Sequence, residues 1–518
     1  MFYITTAIDY TNGAPHIGHA YEKVLTDVIA RYRRLAGDEV YFLTGVDQHG
    51  QKVQQTAEKD GVHPATYAQR STKHFLRLWD KLNVQYDGWA ETTDQRHKTC
   101  VQKILTKLYE EGQIYKKQYK GFYSIRQEQF LTDKERGEDG EFGPEWGEVE
   151  ERDEENYYFK LSDHAKWLED YVQANDDFII PSLRKAEVLN AVERASETDL
   201  CISRPKERLH WGIELPFDTD FVTYVWFDAL INYISFAGYL AEEGSELPDF
   251  EKLWPANVHV IGKDILVPSH AIYWPCMLRA IGFSDEQIPS LLVHGWWNIK
   301  GEKMSKSIGN VIDPNTLADQ FGVEALRYYL VRDIITGKDS DFDADRLVIT
   351  YNTELANNLG NLCNRALNMS KKSLNSTMVT NEYDDDDSAA LRQSLTDTIN
   401  AYQKAMDKYD TSTALHEVNK HVSFCNGYAE RNEPWQLAKD ETKYDRLATI
   451  LYHMVESCAQ VSVLLSPIIP EACAKIQNQL RLDNLADMKL ADLKWGLIPS
   501  GHEIGKPKPI FPRIQLEE

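Results

Sequence analysis

The N-terminal part of the chain alternates strand-forming and helix-forming patterns over a short distance. Residues 2–8 (FYITTAI) are mostly β-branched or aromatic and predict a strand. After an Asn-Gly turn at 12–13, apolar residues recur at helical spacing over 20–32, and residues 40–43 (VYFL) predict a second buried strand. A strand, a helix and a strand in succession form a βαβ unit, so we expect a parallel sheet at the N-terminus.

The patterns change twice further along the chain. Residues 115–215 are irregular and include the acidic run EWGEVEERDEE at 145–155, which indicates an insertion. Three short apolar runs then predict strands of a second half of the sheet: TYVWF at 223–227, VHVIG at 258–262 and SLLVHG at 290–295. The C-terminal part is predicted to be helical, with one continuous apolar face over 447–465.

Composition limits the possible classes of protein. The net charge of the 518 residues is −24, which gives no support for a nucleic-acid partner but leaves room for local basic patches that bind one. Seven cysteines without any CxxC spacing argue against a disulfide framework and a cysteine-rich zinc site, and fit a reducing cytoplasm. The N-terminus lacks a basic segment, and no apolar run approaches the roughly 20 residues that span a bilayer. Neither a secretory signal nor a membrane segment is therefore predicted.

The sequence PHIGH at 15–19 follows a predicted strand and opens a predicted helix. A helix N-terminus presents unpaired N–H groups and a partial positive charge, which suit a phosphate, and Gly18 lets a nucleotide approach the backbone closely. His16 and His19, one turn apart, can donate hydrogen bonds to a phosphate in its transition state. The alternative is that the two histidines only cap the helix.

The sequence KMSKS at 303–307 is predicted to lie in a loop. Its two lysines are mobile point charges that suit a pyrophosphate leaving group. Taken alone, such a stretch is more often a solvated loop, but its occurrence together with PHIGH, in this order, is highly specific. Neither a GxGxxG nor a GxxxxGK[ST] motif is present, which argues against the common nucleotide-binding classes.

HIGH and KMSKS together are the signature of class I aminoacyl-tRNA synthetases, and the chain resembles the methionyl-tRNA synthetases in particular. The matches to that family run from residue 4 to about 513: AIDYTNGAPHIGH at 7–19, TGVDQHG at 44–50, DLCISR at 199–204, YVWFDALINY at 224–233, HVIGKDI at 259–265, HAIYWP at 270–275, HGWWNIKGEKMSKS at 294–307, NLCNR at 361–365, EPW at 433–435 and KPKPIFPRI at 506–514. The resemblance implies an α/β fold with a Rossmann-like parallel-sheet catalytic domain, a connective insertion and an α-helical anticodon-binding domain. The expected segments are 1–114 and 221–325 for the two catalytic halves, 115–220 for the insertion, 326–355 for a stem-contact linker and 356–518 for the anticodon-binding domain.

The resemblance also implies the reaction and its partners. Methionine and ATP, with Mg²⁺, would form methionyl-adenylate and pyrophosphate, and the methionyl group would pass to the 3′-terminal ribose of elongator and initiator tRNA(Met). The family's catalytic positions correspond to His16, Gly18, His19, Lys303 and Lys306 of this chain. ATP is expected to contact Tyr10, Asn12, Gly13, His16, Gly18, His19, Ser305 and Lys306. Lys306 would stabilise the β- and γ-phosphates, and Lys303 would support the loop.

The family's amino-acid pocket and anticodon contacts can be carried over position by position. The methionine site corresponds to Ala7, Ile8, Tyr10, Asp47, Trp226, Ala229, Leu230, Tyr233, Ile265 and His270, with Asp47 on the α-amino group and the aromatic wall around the thioether. The CAU anticodon is expected to meet Asn361, Arg365, Pro434 and Trp435. Plain core packing is the alternative for Trp226 and Tyr233, and capping of a helix junction for Trp435.

The chain departs from the family pattern in two places. One additional residue separates GKDI from His270, which is aligned through the HAIYWP that follows. Many relatives carry cysteine-ligated zinc in the insertion, but no Cys or His occurs between residues 115 and 160, and tetrahedral zinc needs four such ligands. We therefore expect no metal site and no zinc.

Competing functions remain compatible with parts of the sequence. The large synthetases for leucine, isoleucine and valine carry an editing insertion far longer than residues 115–220 of this chain. The cysteine enzyme binds its substrate through zinc, for which ligands are missing near the expected active site. A non-catalytic tRNA-binding paralogue is an alternative from another class, although both signature motifs are intact. We expect a cytoplasmic monomer without a membrane partner.

Overall fold

The computed structural model describes residues 1–124, 129–131, 133–137, 139–195, 197–299, 301–303 and 311–515. The chain divides into two compact units. The first comprises Met1–Ala14, Tyr41–Arg77 and Tyr86–Val293, and the second comprises Pro15–Val40, Leu78–Gln85 and His294–Glu518.

A seven-stranded sheet forms the centre of the first unit. Its strands are β1 (Phe2–Thr6), β2 (Asp9–Tyr10), β3 (Val40–Asp47), β4 (Gly88–Glu91), β8 (Ile179–Ile180), β13 (Val258–Gly262) and β14 (Ser290–His294). They lie in the order β2-β3-β1-β13-β14-β8, and β4 also pairs with β3. The pairs β1–β13, β2–β3, β3–β4 and β8–β14 are parallel. Every residue of β1 and β13 is buried, as expected for central strands covered on both faces.

The other described strands form three smaller sheets. The insertion contains β5 (Ile114–Ser124), β6 (Gln129–Leu131), β7 (Val149–Phe159) and β9 (Leu200–Cys201), in the order β6-β5-β7-β9. A second sheet contains β10 (Ser203–Pro205), β11 (Glu214–Leu215) and β12 (Asp218–Thr223), and a third contains β15 (Trp297–Ile299), β16 (Glu302–Lys303) and β17 (Ser340–Asp341).

Helices occur throughout the part of the chain that the structure describes. They are α1 (Ile17–Ala36), α2 (Gln51–Lys59), α3 (Pro64–Lys81), α4 (Gln95–Glu110), α5 (Ala165–Ala174), α6 (Lys185–Ala195), α7 (Val225–Leu230), α8 (Asn232–Ser235), α9 (Phe250–Leu253), α10 (Trp274–Ile281), α11 (Pro314–Phe321), α12 (Val323–Asp333), α13 (Ala344–Thr350), α14 (Gly360–Ser373), α15 (Asp386–Met406), α16 (Thr411–Asn432), α17 (Pro434–Leu437), α18 (Tyr444–Leu464) and α19 (Pro470–Leu480). Two π-helical segments, Leu266–Tyr273 and Tyr351–Leu359, precede α10 and α14.

Most element predictions are confirmed, and one is wrong. The strand, helix and strand at the N-terminus are β1, α1 and β3, and the runs at 258–262 and 290–295 form β13 and β14. The run TYVWF at 223–227 is not the predicted strand, because β12 ends at Thr223 and α7 begins at Val225. A short apolar run is compatible with a buried helix as well as with a strand, so its composition does not decide between them.

The second unit is mainly helical from residue 314 onwards. The predicted helix over 447–465 is confirmed as α18, in which every residue from Leu447 to Leu464 is buried. The stretch Glu441–Leu464 has the length and apolar composition of a membrane span, but its apolar window lies entirely inside the protein. It is therefore packed as a core helix.

Candidate active site

Asp47 is the last residue of β3 and lies at the carboxyl end of a parallel sheet, where α/β proteins bind ligands. Its side chain is buried, and its Oδ1 accepts hydrogen bonds from the His49 backbone N–H at 3.2 Å and from the Thr92 hydroxyl at 3.3 Å. Its carbonyl oxygen accepts two bonds from Thr11, which joins the chain after β2 to the end of β3. The carboxylate therefore has a fixed position at the sheet edge.

Tyr10 pairs with Asp47 in the ladder between β2 and β3. Beside it, Gly50 has a φ of 103°, and a Cβ at that position would lie 2.6 Å from the Tyr10 hydroxyl oxygen. Only glycine permits both this backbone conformation and this close approach. The structure thus brings Tyr10 against the segment that carries Asp47.

Tyr233 and His270 are hydrogen-bonded to each other inside the first unit. The Tyr233 hydroxyl lies 2.8 Å from His270 Nε2, and His270 Nδ1 lies 2.8 Å from the Ile265 carbonyl oxygen. Because a carbonyl only accepts, Nδ1 carries the proton, and a neutral His270 ring accepts the Tyr233 hydroxyl hydrogen at Nε2. The additional residue before His270 is therefore accommodated without separating His270 from Tyr233.

A neutral histidine, His259, packs against one face of the Tyr233 ring. The His259 ring stacks on the Tyr233 ring at 4.1 Å, and its Nε2 accepts a hydrogen bond from the Trp274 indole at 3.2 Å. Its Nδ1 then donates to the Thr5 hydroxyl at 2.6 Å. Burial, followed by the neighbouring His270, holds the pKa of His259 well below its usual range.

The other residues predicted for the methionine site also lie in the first unit. Trp226 is half-buried on α7, and its ring meets that of His270 edge to face at 6.3 Å. Ala229 and Leu230 are buried on the same helix. Ala7, Ile8 and Ile265 are partly buried against the apolar core of this unit, and the Ala7 N–H donates to the Val260 carbonyl.

The two signature histidines cap α1 in the second unit. His16 is the residue before the helix, and its Nδ1 accepts a hydrogen bond from the Gly18 N–H at 3.1 Å. His19 Nδ1 accepts from the His16 N–H at 3.1 Å, and the two rings lie 3.9 Å apart. Both Nδ1 atoms accept, so each neutral ring carries its proton on Nε2. Capping, the alternative considered from the sequence, is observed, and it leaves each ring in the tautomer that donates from Nε2.

Other residues predicted to bind ATP lie before α1 or in the KMSKS segment. Asn12 and Gly13 lie in the bend between β2 and α1. The backbone of Lys303 is part of β16, opposite Asn298 of β15. Ser305 and Lys306 lie outside the described residues.

The residues predicted for the anticodon come together in the helical part of the second unit. The Arg365 guanidinium lies 5.2 Å from the centre of the Trp435 ring and forms an ion pair with Glu430 at 2.7 Å. Asn361 lies one turn before Arg365 on α14 and donates a hydrogen bond to Asn426 at 3.1 Å. Pro434 begins the short helix α17, which presents the half-buried Trp435.

Comparisons with known proteins cover the whole chain. The family model for class I tRNA synthetases (M) matches residues 2–139 and 146–367, and the model for the anticodon binding domain of methionyl tRNA ligase matches 380–518. A methionine–tRNA ligase of Fusobacterium nucleatum is 39% identical over 523 residues, covering 100% of this chain and 80% of its own length. The one from Caldanaerobacter subterraneus is 41% identical over 522 residues, covering 100% and 79%.

Solved structures agree with these matches. The Mycobacterium tuberculosis methionyl-tRNA synthetase in complex with methionyl-adenylate has a TM-score of 0.91 at 36% identity and covers 99% of both chains. Its apo form has a TM-score of 0.86 at 34% identity and covers 100% of this chain and 98% of that one.

The chain belongs to the methionyl-tRNA synthetases. The predicted fold is confirmed: a Rossmann-like catalytic domain with an insertion is followed by a helical anticodon-binding domain. The predicted activity, ATP-dependent ligation of methionine to tRNA through methionyl-adenylate, is confirmed with it.

A buried carboxylate with two histidine partners was not predicted from the sequence. Asp228 of α7 is fully buried, its Oδ2 lies 2.6 Å from His49 Nδ1, and its Oδ1 lies 2.8 Å from His97 Nε2. Burial by itself raises the pKa of Asp228, but the two imidazoles outweigh it and lower the pKa to about 2. The sequence contains one signal, an aspartate inside the apolar run YVWFDAL, because a charge in a buried segment requires partners.

Three arginines of the insertion surround one aromatic ring. Tyr123 of β5 is buried, and the guanidinium carbons of Arg152, Arg208 and Arg204 lie 4.5, 4.6 and 5.5 Å from its ring centre. Arg208 also donates to both carboxylate oxygens of Glu154 at 3.0 and 3.1 Å. Cation–π contacts of this kind are strongest where water is excluded. They join β5 and β7 of the insertion to the segment that contains β10.

Proposed function

We propose that methionine binds in the first unit between Asp47 and the Tyr233–His270 pair, and that ATP binds at the N-terminus of α1. The observation that carries the proposal is the hydrogen bond between Tyr233 and His270, beside Trp226, in the unit that also holds Asp47. A carboxylate suits the α-ammonium of methionine, and a wall of aromatic rings suits its thioether.

In the proposed reaction, a methionine carboxylate oxygen attacks the α-phosphorus of ATP. A new P–O bond forms, the bond to the β-phosphate breaks, and pyrophosphate leaves. The Nε2–H groups of His16 and His19 donate to the α-phosphate as its charge increases, and the α1 N-terminus adds a positive dipole. Lys306 stabilises the departing phosphates, and Mg²⁺ enters with ATP as part of the substrate. A hydroxyl of the tRNA 3′-terminal ribose then attacks the methionyl carbonyl carbon, the bond from that carbon to the phosphate oxygen breaks, and AMP leaves while the hydroxyl proton passes to the departing phosphate.

We infer that the tRNA partners are elongator and initiator tRNA(Met), recognised through their CAU anticodon by the group formed by Asn361, Arg365, Pro434 and Trp435. Aminoacylation of the two transcripts with labelled methionine tests this assignment. Charging of both, and its loss when the CAU anticodon is replaced, is the expected result. Equal charging of the transcripts with replaced anticodons would contradict it.

The variant Trp435→Ala is expected to raise the KM for tRNA in charging by about 10- to 100-fold, because loss of one base-stacking aromatic costs about 1–3 kcal/mol. Methionine-dependent pyrophosphate exchange, which needs no tRNA, is expected to stay at the wild-type rate. The matched control Trp167→Ala removes a tryptophan from α5 of the first unit and is expected to leave the KM for tRNA unchanged. An unchanged KM for tRNA in Trp435→Ala would contradict the proposed contact of Trp435 with the anticodon.

We also propose that the insertion functions without zinc. Within the described residues, no three His, Cys, Asp or Glu side chains are grouped as potential metal ligands. The contacts of three arginines with the Tyr123 ring connect strands of the insertion through its own side chains. Chelator-washed protein is expected to retain its activity and to contain no zinc; stoichiometric zinc in metal analysis would contradict this.

The remaining proposals concern the state of the enzyme in the cell. We propose a cytoplasmic monomer without a membrane partner. Sedimentation equilibrium is expected to give the mass of one chain, 59.6 kDa.

A further inference from the structure

We propose that Asp228 is a positioning residue for methionine, acting through two histidines that connect both sides of the amino-acid pocket. This inference rests on the proposed function, because it assumes that methionine binds at Asp47 and at the wall formed by α7 and α8. It assigns a role to three buried residues, Asp228, His49 and His97, that the proposed mechanism does not use.

The hydrogen bonds of Asp228 fix both imidazoles. An ionised carboxylate only accepts, so His49 donates from Nδ1 and His97 donates from Nε2. A neutral His97 ring then accepts from the Ser235 hydroxyl, which lies 2.8 Å from His97 Nδ1. With the carboxylate ionised, each of its oxygens accepts from one ring nitrogen, and a buried network satisfied in this way is rigid.

One end of the network reaches the proposed site for the α-ammonium. The His49 backbone N–H donates to Asp47 Oδ1 at 3.2 Å, so the position of His49 determines the direction of that N–H. The His49 ring also packs edge to face on Trp211 at 5.5 Å, and the Trp211 indole donates to the Gln48 carbonyl at 2.5 Å. The segment after β3 is thus held by the His49 side chain as well as by its backbone.

The other end of the network reaches the proposed wall for the thioether. Asp228 lies between Trp226 and Ala229 on α7, so a rotation of this helix would move both residues. His97 of α4 holds α8 through Ser235, two residues after Tyr233, and stacks on Phe236 with an interplanar angle of 12°. One carboxylate therefore couples the position of Asp47 to that of the aromatic wall.

The test begins with Asp228→Asn in methionine-dependent pyrophosphate exchange, with rates normalised to titrated active sites. An amide can accept from one imidazole only, so the other must change its tautomer or lose its bond. We expect the KM for methionine to rise by about 10- to 100-fold, the loss of a hydrogen bond to a charged group, with the KM for ATP within about twofold of wild type. Fewer active sites with an unchanged KM for methionine would show a merely structural role and overturn the proposal.

A pair of substitutions at His97 separates hydrogen bonding from packing. Glutamine keeps an N–H donor near the position of Nε2, whereas leucine fills space without a donor. We expect His97→Gln to stay close to the wild-type KM for methionine and His97→Leu to reproduce the increase of Asp228→Asn. Equal KM values for the two His97 variants would overturn the proposal, even if Asp228→Asn does not fold.

The matched control is Glu456→Gln in the second unit. Glu456 is another fully buried carboxylate, and it accepts hydrogen bonds from the backbone N–H groups of residues 496–498. The variant Glu456→Gln is expected to lower the Tm of the protein without changing the KM for methionine. Asp47→Asn distinguishes the two levels of failure: if it raises the KM and Asp228→Asn does not, only this inference fails. If neither raises it, the proposed pocket fails as well.

Discussion

Replacing Asp47 with asparagine is expected to raise the KM for methionine by about 100-fold. Asp47 is 6% exposed and lies at the end of β3, where asparagine can keep the contacts with His49 and Thr92. The substitution removes the negative charge that we propose binds the α-ammonium. Truncating one partner of a buried charge pair costs about 2–5 kcal/mol, and each tenfold change in affinity corresponds to about 1.4 kcal/mol. Pyrophosphate exchange measures the effect.

An analogue of methionine that lacks the α-amino group is the control for this prediction. The wild-type enzyme is expected to bind methionine far more tightly than the analogue, which is measured as an inhibitor of exchange. In Asp47→Asn the two affinities are expected to become similar, because the charge that distinguishes them is gone. If the variant prefers methionine by the wild-type factor, another group holds the ammonium.

Replacing Arg327 with methionine is expected to lower the free energy of unfolding by about 3–5 kcal/mol. Arg327 is 0% exposed in the second unit, and its Nη2 lies 2.7 Å from Oδ2 of the fully buried Asp27 on α1. The guanidinium also donates to the backbone carbonyls of Leu82, Pro467 and Ile468. Methionine fills a similar volume but leaves three carbonyls without this donor, and the Asp27 carboxylate keeps one cation, Arg31, whose Nε lies 2.8 Å from the same Oδ2. Urea denaturation followed by circular dichroism measures the loss.

The double variant Asp27→Asn/Arg327→Met tests the electrostatic part of that loss. Its destabilisation is expected to be smaller than the sum of the two single variants, since neither charge is then left without the other. Lys166→Met, which removes an exposed cation from a pair with Asp170, is expected to leave the urea midpoint unchanged. Additive losses at Asp27 and Arg327 would show that the pair itself contributes nothing.

The sequence is most informative where the periodicity of apolar residues is unambiguous. The βαβ pattern predicts β1, α1 and β3, and the long apolar face predicts α18, because each of these segments is buried over most of its length. Periodicity is least informative for the short run at 223–227. There β12 ends at Thr223 and α7 begins at Val225, and a short apolar run is compatible with either structure.

In the candidate site, too, the sequence identifies some residues and leaves others undetected. Motifs identify the residues that are expected to touch substrate, such as Asp47 and Tyr233. They do not identify the partners that hold them, because His97 and Asp228 lie 131 positions apart and meet only through the fold. The hydrogen bond between Tyr233 and His270 and the stacking of Arg365 on Trp435 likewise depend on tertiary structure. The roles of all these residues remain predictions.

The most direct test of methionyl-adenylate formation and of the proposed pocket is the exchange of labelled pyrophosphate into ATP, measured with each of the twenty amino acids and with Lys306→Ala as the control. We predict exchange with methionine alone and its loss in the variant. Exchange with another amino acid would contradict the assignment of the pocket around Asp47 and Tyr233. Absence of exchange with every amino acid, from protein shown to be folded, would contradict the formation of methionyl-adenylate itself.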